Sequence, residues 1–131
     1  MGKVFYPAVF HIAEEGGFWV SFPDIPECLT EGDNMEDAYQ MAWEALGLSL
    51  SYAVDHGEAV PSPSVPNEIP VGKDEFLAVV EFDIMEYRKK HCSKAVKKTL
   101  SIPEWLNEAA MRQHINFSQV LQEALMNKVK M

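Results

Sequence analysis

Between Val96 and Pro103 the chain alternates in character. Lys97, Thr99 and Ser101 fall on one face of an extended strand, and Val96, Leu100 and Ile102 on the other. An ammonium and two hydroxyls at period-two spacing make a row of hydrogen-bonding groups, one that only donates and two that both donate and accept. Such a row suits recognition of a polar surface rather than bond-making. Lys98 interrupts the apolar face, and its ammonium is expected to escape along its aliphatic stem. The other residue types that could do chemistry are scattered. His11, His56, His91 and His114 have no neighbour in sequence that suggests nucleophilic catalysis. Cys28 and Cys92 stand far apart, outside any CxxC pair, so neither a zinc site nor a disulfide framework is expected.

The row is basic in a chain whose formal charge is −9. Residues 1–87 hold two Lys against 17 acidic residues, a net −15, and residues 88–131 hold nine Lys or Arg against three Glu, a net +6. An acidic part repels nucleic acid and attracts basic proteins, and a basic part does the reverse. The division predicts two surfaces with different partners. A length of 131 residues with 47% hydrophobic and 24% charged residues describes one ordinary globular domain or two small ones. No apolar run approaches the roughly 20 residues of a membrane span, and the proline-containing N-terminus does not read as a signal peptide, so a cytoplasmic protein without a membrane partner is expected.

The elements that would position these groups follow from periodicity. In KVFYPAVFHI, Val4, Tyr6, Ala8, Phe10 and Ile12 share one strand face, with Phe5 and Val9 on the other. Glu14 to Gly17 supply a turn, FWVSF a second strand, and the residues around Cys28 a third. Asn34 with Asp37 reads as a helix start, Met35, Ala38, Ala42, Leu46, Leu50 and Ala53 as its apolar stripe, and Gly57 as its stop. PSPSVPNEIP must be a surface loop, and FLAVVEFD is apolar enough to be an internal strand. This βββαβ order predicts an α+β domain over residues 1–83, with 84–95 as a linker in which Ile84 to Ser93 could form a loose helical connector. In the remainder, Pro103 fits the first position of a helix ending near His114. A second helix starts at Asn116, with Gln119 completing a capping box and Ile115 with Val120 forming a hydrophobic staple. A β-α-α unit over 96–131 is too small to bury a core alone, so it should dimerise.

That C-terminal unit resembles the ribbon-helix-helix DNA-binding family, in which two chains pair their strands into a ribbon that enters the major groove. The resemblance implies that Lys97, Thr99 and Ser101 contact bases and that Asn116, Phe117 and Ser118, opening the second helix, contact phosphate. It also implies that Leu100, Ile102, Leu106, Val120 and Leu121 form the dimer core. The N-terminal part resembles the HicB antitoxin family, through Tyr6-Pro7-Ala8, the run FPDIPEC from Phe22 to Cys28, and GDNMEDA from Gly32 to Ala38. Glu27 replaces a common glycine and Asn34 a common threonine cap.

The second resemblance implies a partial ribonuclease H-like fold, and a partner of HicA type, a small basic mRNA-cleaving toxin. It also implies repression of the operon through operator DNA by a homodimer or higher even-numbered oligomer. The toxin-facing residues are unknown, with Asp24 and Glu27 the candidates. A ribonuclease H-like reading makes Asp24, Asp33 and Asp83 possible metal-binding carboxylates, but structural roles suffice for them. No enzyme activity, cofactor or metal is therefore expected. The reading from a different class is a ribbon-helix-helix repressor that responds to a small ligand and has no toxin partner.

Overall fold

A computed structural model describes residues 2–129. Its first strand, β1 (Lys3–Ile12), buries Tyr6, Ala8 and Phe10 on one face, as their alternation predicts. Gly16 and Gly17 take φ of 96° and 74°, values only glycine adopts cheaply, and reverse the chain into β2 (Phe18–Phe22). β3 (Ile25–Gly32) completes the meander. β4 (Glu75–Asp83) returns beside β1, so the antiparallel sheet runs β3-β2-β1-β4.

The order βββαβ is as expected, but the place of β4 is not: it is an edge strand, and β1 is internal. Phe76, Ala78, Val80 and Phe82 face the helix side of the sheet, while Leu77 and Val79 on the opposite face make the run look continuously apolar. β1 tolerates Pro7 at the centre of a sheet for a reason of register. Even-numbered residues of β1 turn their backbone groups to β4 and odd-numbered ones to β2, and opposite Pro7 β2 has already ended. No ladder bond is lost.

The long helix α1 (Met35–Asp55) covers the core side of the sheet with Ala38, Ala42, Leu46, Leu50 and Ala53, while Met35 stays exposed. Asn34 Oδ1 accepts from the Asp37 N–H at 2.8 Å, and Asp37 Oδ2 accepts in turn from the Asp33 N–H at 2.9 Å. The helix stops at Gly57, with φ 66°, where Glu58 N–H donates to the Ala53 carbonyl and Gly57 N–H to that of Val54. Asn34→Ala should therefore cost about 0.5–2 kcal/mol in urea-induced unfolding. At Gly32 a Cβ would lie 2.3 Å from the Ala38 nitrogen, so glycine there permits the close approach of β3 to α1.

Residues 84–95 are not the expected linker. Asp83 caps α2 (Ile84–His91), accepting from the Met85 N–H at 2.9 Å, and Ile84 and Tyr87 join the core. The N-terminal compact unit runs to Lys94 rather than to 83. The charge division moves with it. Arg88 pairs with Asp55 at 2.6 Å, and Lys90 and His91 with Glu44 at 2.8 and 2.7 Å, so this basic run is folded onto acidic positions of α1. The N-terminal unit then holds six Lys or Arg against 17 acidic residues, a net −11, and the C-terminal unit five against three, a net +2.

The C-terminal unit begins at Ala95. The strand expected over 96–102 is absent in the single chain: residues 93–103 have no ladder partner and no regular structure. Pro103 is the N-cap of α3 (Glu104–Arg112) rather than its first residue. His114, at φ 56°, turns the chain towards α4 (Phe117–Val129). Asn116 Oδ1 accepts from the Gln119 N–H at 3.1 Å, but the Gln119 side chain reaches Glu123 at 3.3 Å, so the expected capping box is half made. Neither α3 nor α4 buries a residue. Among the described residues, no helix is long and apolar enough to cross a membrane.

Candidate nucleic-acid and protein interfaces

In the C-terminal unit, Lys97, Thr99 and Ser101 are exposed along the extended segment. Leu100, Ile102, Leu106 and Val120 are exposed too, Ile102 at 48%, Leu106 at 41% and Val120 at 51%, and Leu121 is half-buried. In a unit of about 35 residues, these apolar side chains are left uncovered by the single chain. Asn116, Phe117 and Ser118 gather at the start of α4. The Asn116 side chain is engaged in capping its own helix, which leaves the first-turn backbone donors of Phe117 and Ser118 as the groups that point outward.

In the N-terminal unit the two candidate residues part company. Asp24, in the β2–β3 turn, accepts from the Ser64 N–H at 2.8 Å and from the Ser64 hydroxyl. Tyr6, buried in the core, donates its hydroxyl to the Pro61 carbonyl, and burial pushes its phenol above the ordinary value. Together these three bonds pin the proline-rich loop, so Asp24 is a loop anchor. Glu27 is exposed on β3. Asp33 precedes α1 and Asp83 caps α2, so the three aspartates considered for metal have separate duties. The described residues contain no group of three or more His, Cys, Asp or Glu disposed to hold a metal. Cys28 is buried, which raises its thiol pKa, and Cys92 is exposed.

One constellation is invisible in the sequence. His11 Nε2 lies 2.9 Å from Ser21 Oγ and His11 Nδ1 lies 2.7 Å from Glu75 Oε2, with the Trp19 ring stacked on the imidazole. Hydroxyl, imidazole and carboxylate stand in relay order. Ser21, however, sits mid-strand opposite Val9, with its backbone donor committed to the ladder. Nothing there forms an oxyanion hole. The network is a cross-strand clamp: Trp19 and Glu75 are the direct partners of His11 on its two sides. Only the register, not the spacing in sequence, brings them together.

The grooves of this unit combine carboxylates with aromatic rings. One, of about 470 Å³, is lined by Lys3, Tyr39, Trp43, Glu81, Asp83 and Glu86. Another, of about 520 Å³, lies at the start of α1 and includes Phe18, Trp19, Glu31, Asp33 and Asp37. Lys3 is paired with Glu81 at 2.9 Å, and that hydrogen bond raises its pKa. Surfaces of this kind suit cationic groups better than phosphates or neutral metabolites.

The chain is thus an acidic α+β unit followed by a helical pair with an open apolar face. The chain matches the profile of the HicB-like antitoxins of bacterial toxin–antitoxin systems over residues 6–125, and it belongs to that family. Antitoxin HicB 1 of Photorhabdus laumondii is 45% identical over 69 residues, 53% of this chain and 41% of that relative. The matched stretch spans about half the length, or less, of the curated relatives it matches. Among solved structures, a chain of a toxin–antitoxin complex from Streptococcus pneumoniae superposes with a TM-score of 0.61 at 27% identity, covering 96% of this chain and 99% of that one. A chain of the HicA3 and HicB3 toxin–antitoxin complex gives a TM-score of 0.50 at 26% identity, covering 58% of this chain and 94% of that one.

Proposed function

We propose that this protein is an antitoxin that acts in the cytoplasm, binding and neutralising a small basic HicA-type mRNA interferase through its acidic N-terminal unit. The observation that carries this reading is the family match from residue 6 to residue 125, supported by the likeness to chains of toxin–antitoxin complexes. The net −11 of residues 1–94 gives long-range attraction for a basic partner. The test is co-expression with the reading frame adjacent to this one: growth should stop when the small basic protein is made alone and recover when this chain is made with it. Unchanged growth arrest in the presence of this chain would exclude the antitoxin role.

The same chain represses its own operon as a ribbon-helix-helix homodimer. Two copies of residues 96–102 pair into a ribbon, Leu100 and Ile102 close over Leu106, Val120 and Leu121, and Lys97, Thr99 and Ser101 face the bases. Asn116 to Ser118 lie at the phosphates. Support comes from the exposure of those apolar residues in the single chain and from the lack of a ladder partner for the strand. Lys97→Ala, Thr99→Ala and Ser101→Ala should each relax operator discrimination, by about 1–3 kcal/mol where the lost contact is bidentate. Gel shifts on operator and random DNA check this. Equal loss on both would make the contacts phosphate-only. Operator affinity should fall steeply with salt.

A further inference from the structure

The two edges of the sheet are finished differently. β3 carries Pro26, and its ladder with β2 shifts register between Ser21 and Phe22, both devices that blunt an edge against further pairing. β4 has neither. Its sequence EFLAVVEFD contains no proline, lysine or arginine, and it pairs with β1 in unbroken register from Glu75 to Asp83. The parity of that ladder follows from the Ile12 N–H, which donates to the Asp74 carbonyl at 2.8 Å. Phe76, Ala78, Val80 and Phe82 therefore turn their backbone groups to β1, and Leu77, Val79 and Glu81 turn theirs outward. The Tyr39 hydroxyl, 3.5 Å from the Val79 carbonyl oxygen, lies on the outward side. Among the described residues no strand pairs there. The Val79 side chain is 40% exposed, and the exposed Glu81 stands two residues on.

Beside this open edge lies the 470 Å³ groove, lined by the rings of Tyr39 and Trp43, the carboxylates of Glu81, Asp83 and Glu86, and Lys3. Lys3 pairs with Glu81 at 2.9 Å and Lys89 with Glu86 at 3.2 Å, both exposed pairs of the kind that contributes little, and Lys90 stands 5.3 Å from the Trp43 ring centre. Aromatic faces next to carboxylates receive a guanidinium or ammonium group. We infer that the β4 edge is a strand-addition site for a basic protein partner. That partner lays an extended segment along Leu77–Glu81, sets an apolar residue beside Val79 and a Lys or Arg that shares Glu81 with Lys3, and seats a further cation in the groove beside Asp83 and Glu86. The occupant is not a second copy of this chain, because β4 has no cation to set against Glu75, Glu81 and Asp83. This inference rests on the reading of the N-terminal unit as the toxin-binding part and specifies how it binds.

The test uses the full-length chain and the small basic protein encoded by the adjacent reading frame, held inactive by replacement of its catalytic histidine, in a titration by calorimetry. Val79→Pro removes an outward N–H without touching the ladder to β1, and Glu81→Lys reverses the edge charge. Both should weaken binding at least tenfold, while Leu29→Lys on the blunted β3 edge should leave it unchanged. Circular dichroism checks that each variant is folded; where Val79→Pro is not, Glu81→Lys decides. Wild-type affinity in the folded edge variants overturns the inference and leaves the antitoxin reading standing. So does a Val79→Pro variant that changes the size of the free oligomer while binding normally. A wild-type chain that does not bind the basic protein at all overturns both.

Discussion

Tyr87→Ala should destabilise the N-terminal unit by about 3–5 kcal/mol, the range for truncating a buried aromatic side chain. Tyr87 is only 8% exposed, and its ring lies 5.5 Å from Trp43, 5.8 Å from Phe82 and 4.4 Å from His91, centroid to centroid. It fits because Gly47 of α1 has no side chain: a Cβ there would come within 2.2 Å of the ring. Removing the ring opens a void between α1, β4 and α2 that backbone relaxation does not close, since α2 is also fixed by Asp83 at its start and by the Arg88–Asp55 pair. Urea unfolding followed by Trp43 fluorescence measures the loss. A cost under 1 kcal/mol would mean that α2 is the loose connector its composition suggests. The reciprocal change, Gly47→Ala, should also destabilise, by overpacking against the same ring.

Ile102→Lys should abolish assembly of the C-terminal units and, with it, operator binding. Ile102 is half exposed in the single chain and, in the proposed ribbon, becomes buried in both copies. Losing the roughly 0.7–1.5 kcal/mol that burying its exposed half contributes in each copy weakens the dimer by roughly 10- to 10²-fold. A charge in the same place adds to the loss. Analytical ultracentrifugation reads the first effect and a gel shift the second. The N-terminal unit, which contains none of these residues, should keep its thermal transition. A variant that stayed dimeric through the same concentration range would place the subunit contact elsewhere.

Much of the N-terminal fold was legible because its signals are local. Tyr6, Ala8 and Phe10 alternate, Asn34 and Asp37 cap across one turn, and Gly57 ends the helix where its φ is positive. The packing of α2 into the core was missed because IMEYRKKH offers only Ile84 and Tyr87 to a periodicity search. What recruits it is the absent side chain of Gly47, forty residues earlier, a relation that no window contains. The anchoring of Asp24, named only as a toxin-facing or metal-binding candidate, was not legible because its partner, Ser64, lies equally far away in a proline-rich loop. β4 was placed inside the sheet because an apolar run does not separate a strand buried on both faces from one at an edge. The −15 and +6 charge halves overstated the contrast, since Arg88 to Lys90 belong by contact to the acidic unit. At the other end, residues 97 to 101 showed which side chains share a face, but their strand needs a ladder that one chain does not contain.

That missing ladder has a consequence for control. In the proposed ribbon, a reading strand that forms only when two chains meet would make operator occupancy follow the square of the free chain concentration while dimers are scarce. Halving the supply of unassociated chain then cuts the DNA-binding species about fourfold. Under that proposal the promoter would be released by dilution of the chain, with no ligand, modification or change of shape in the acidic unit required.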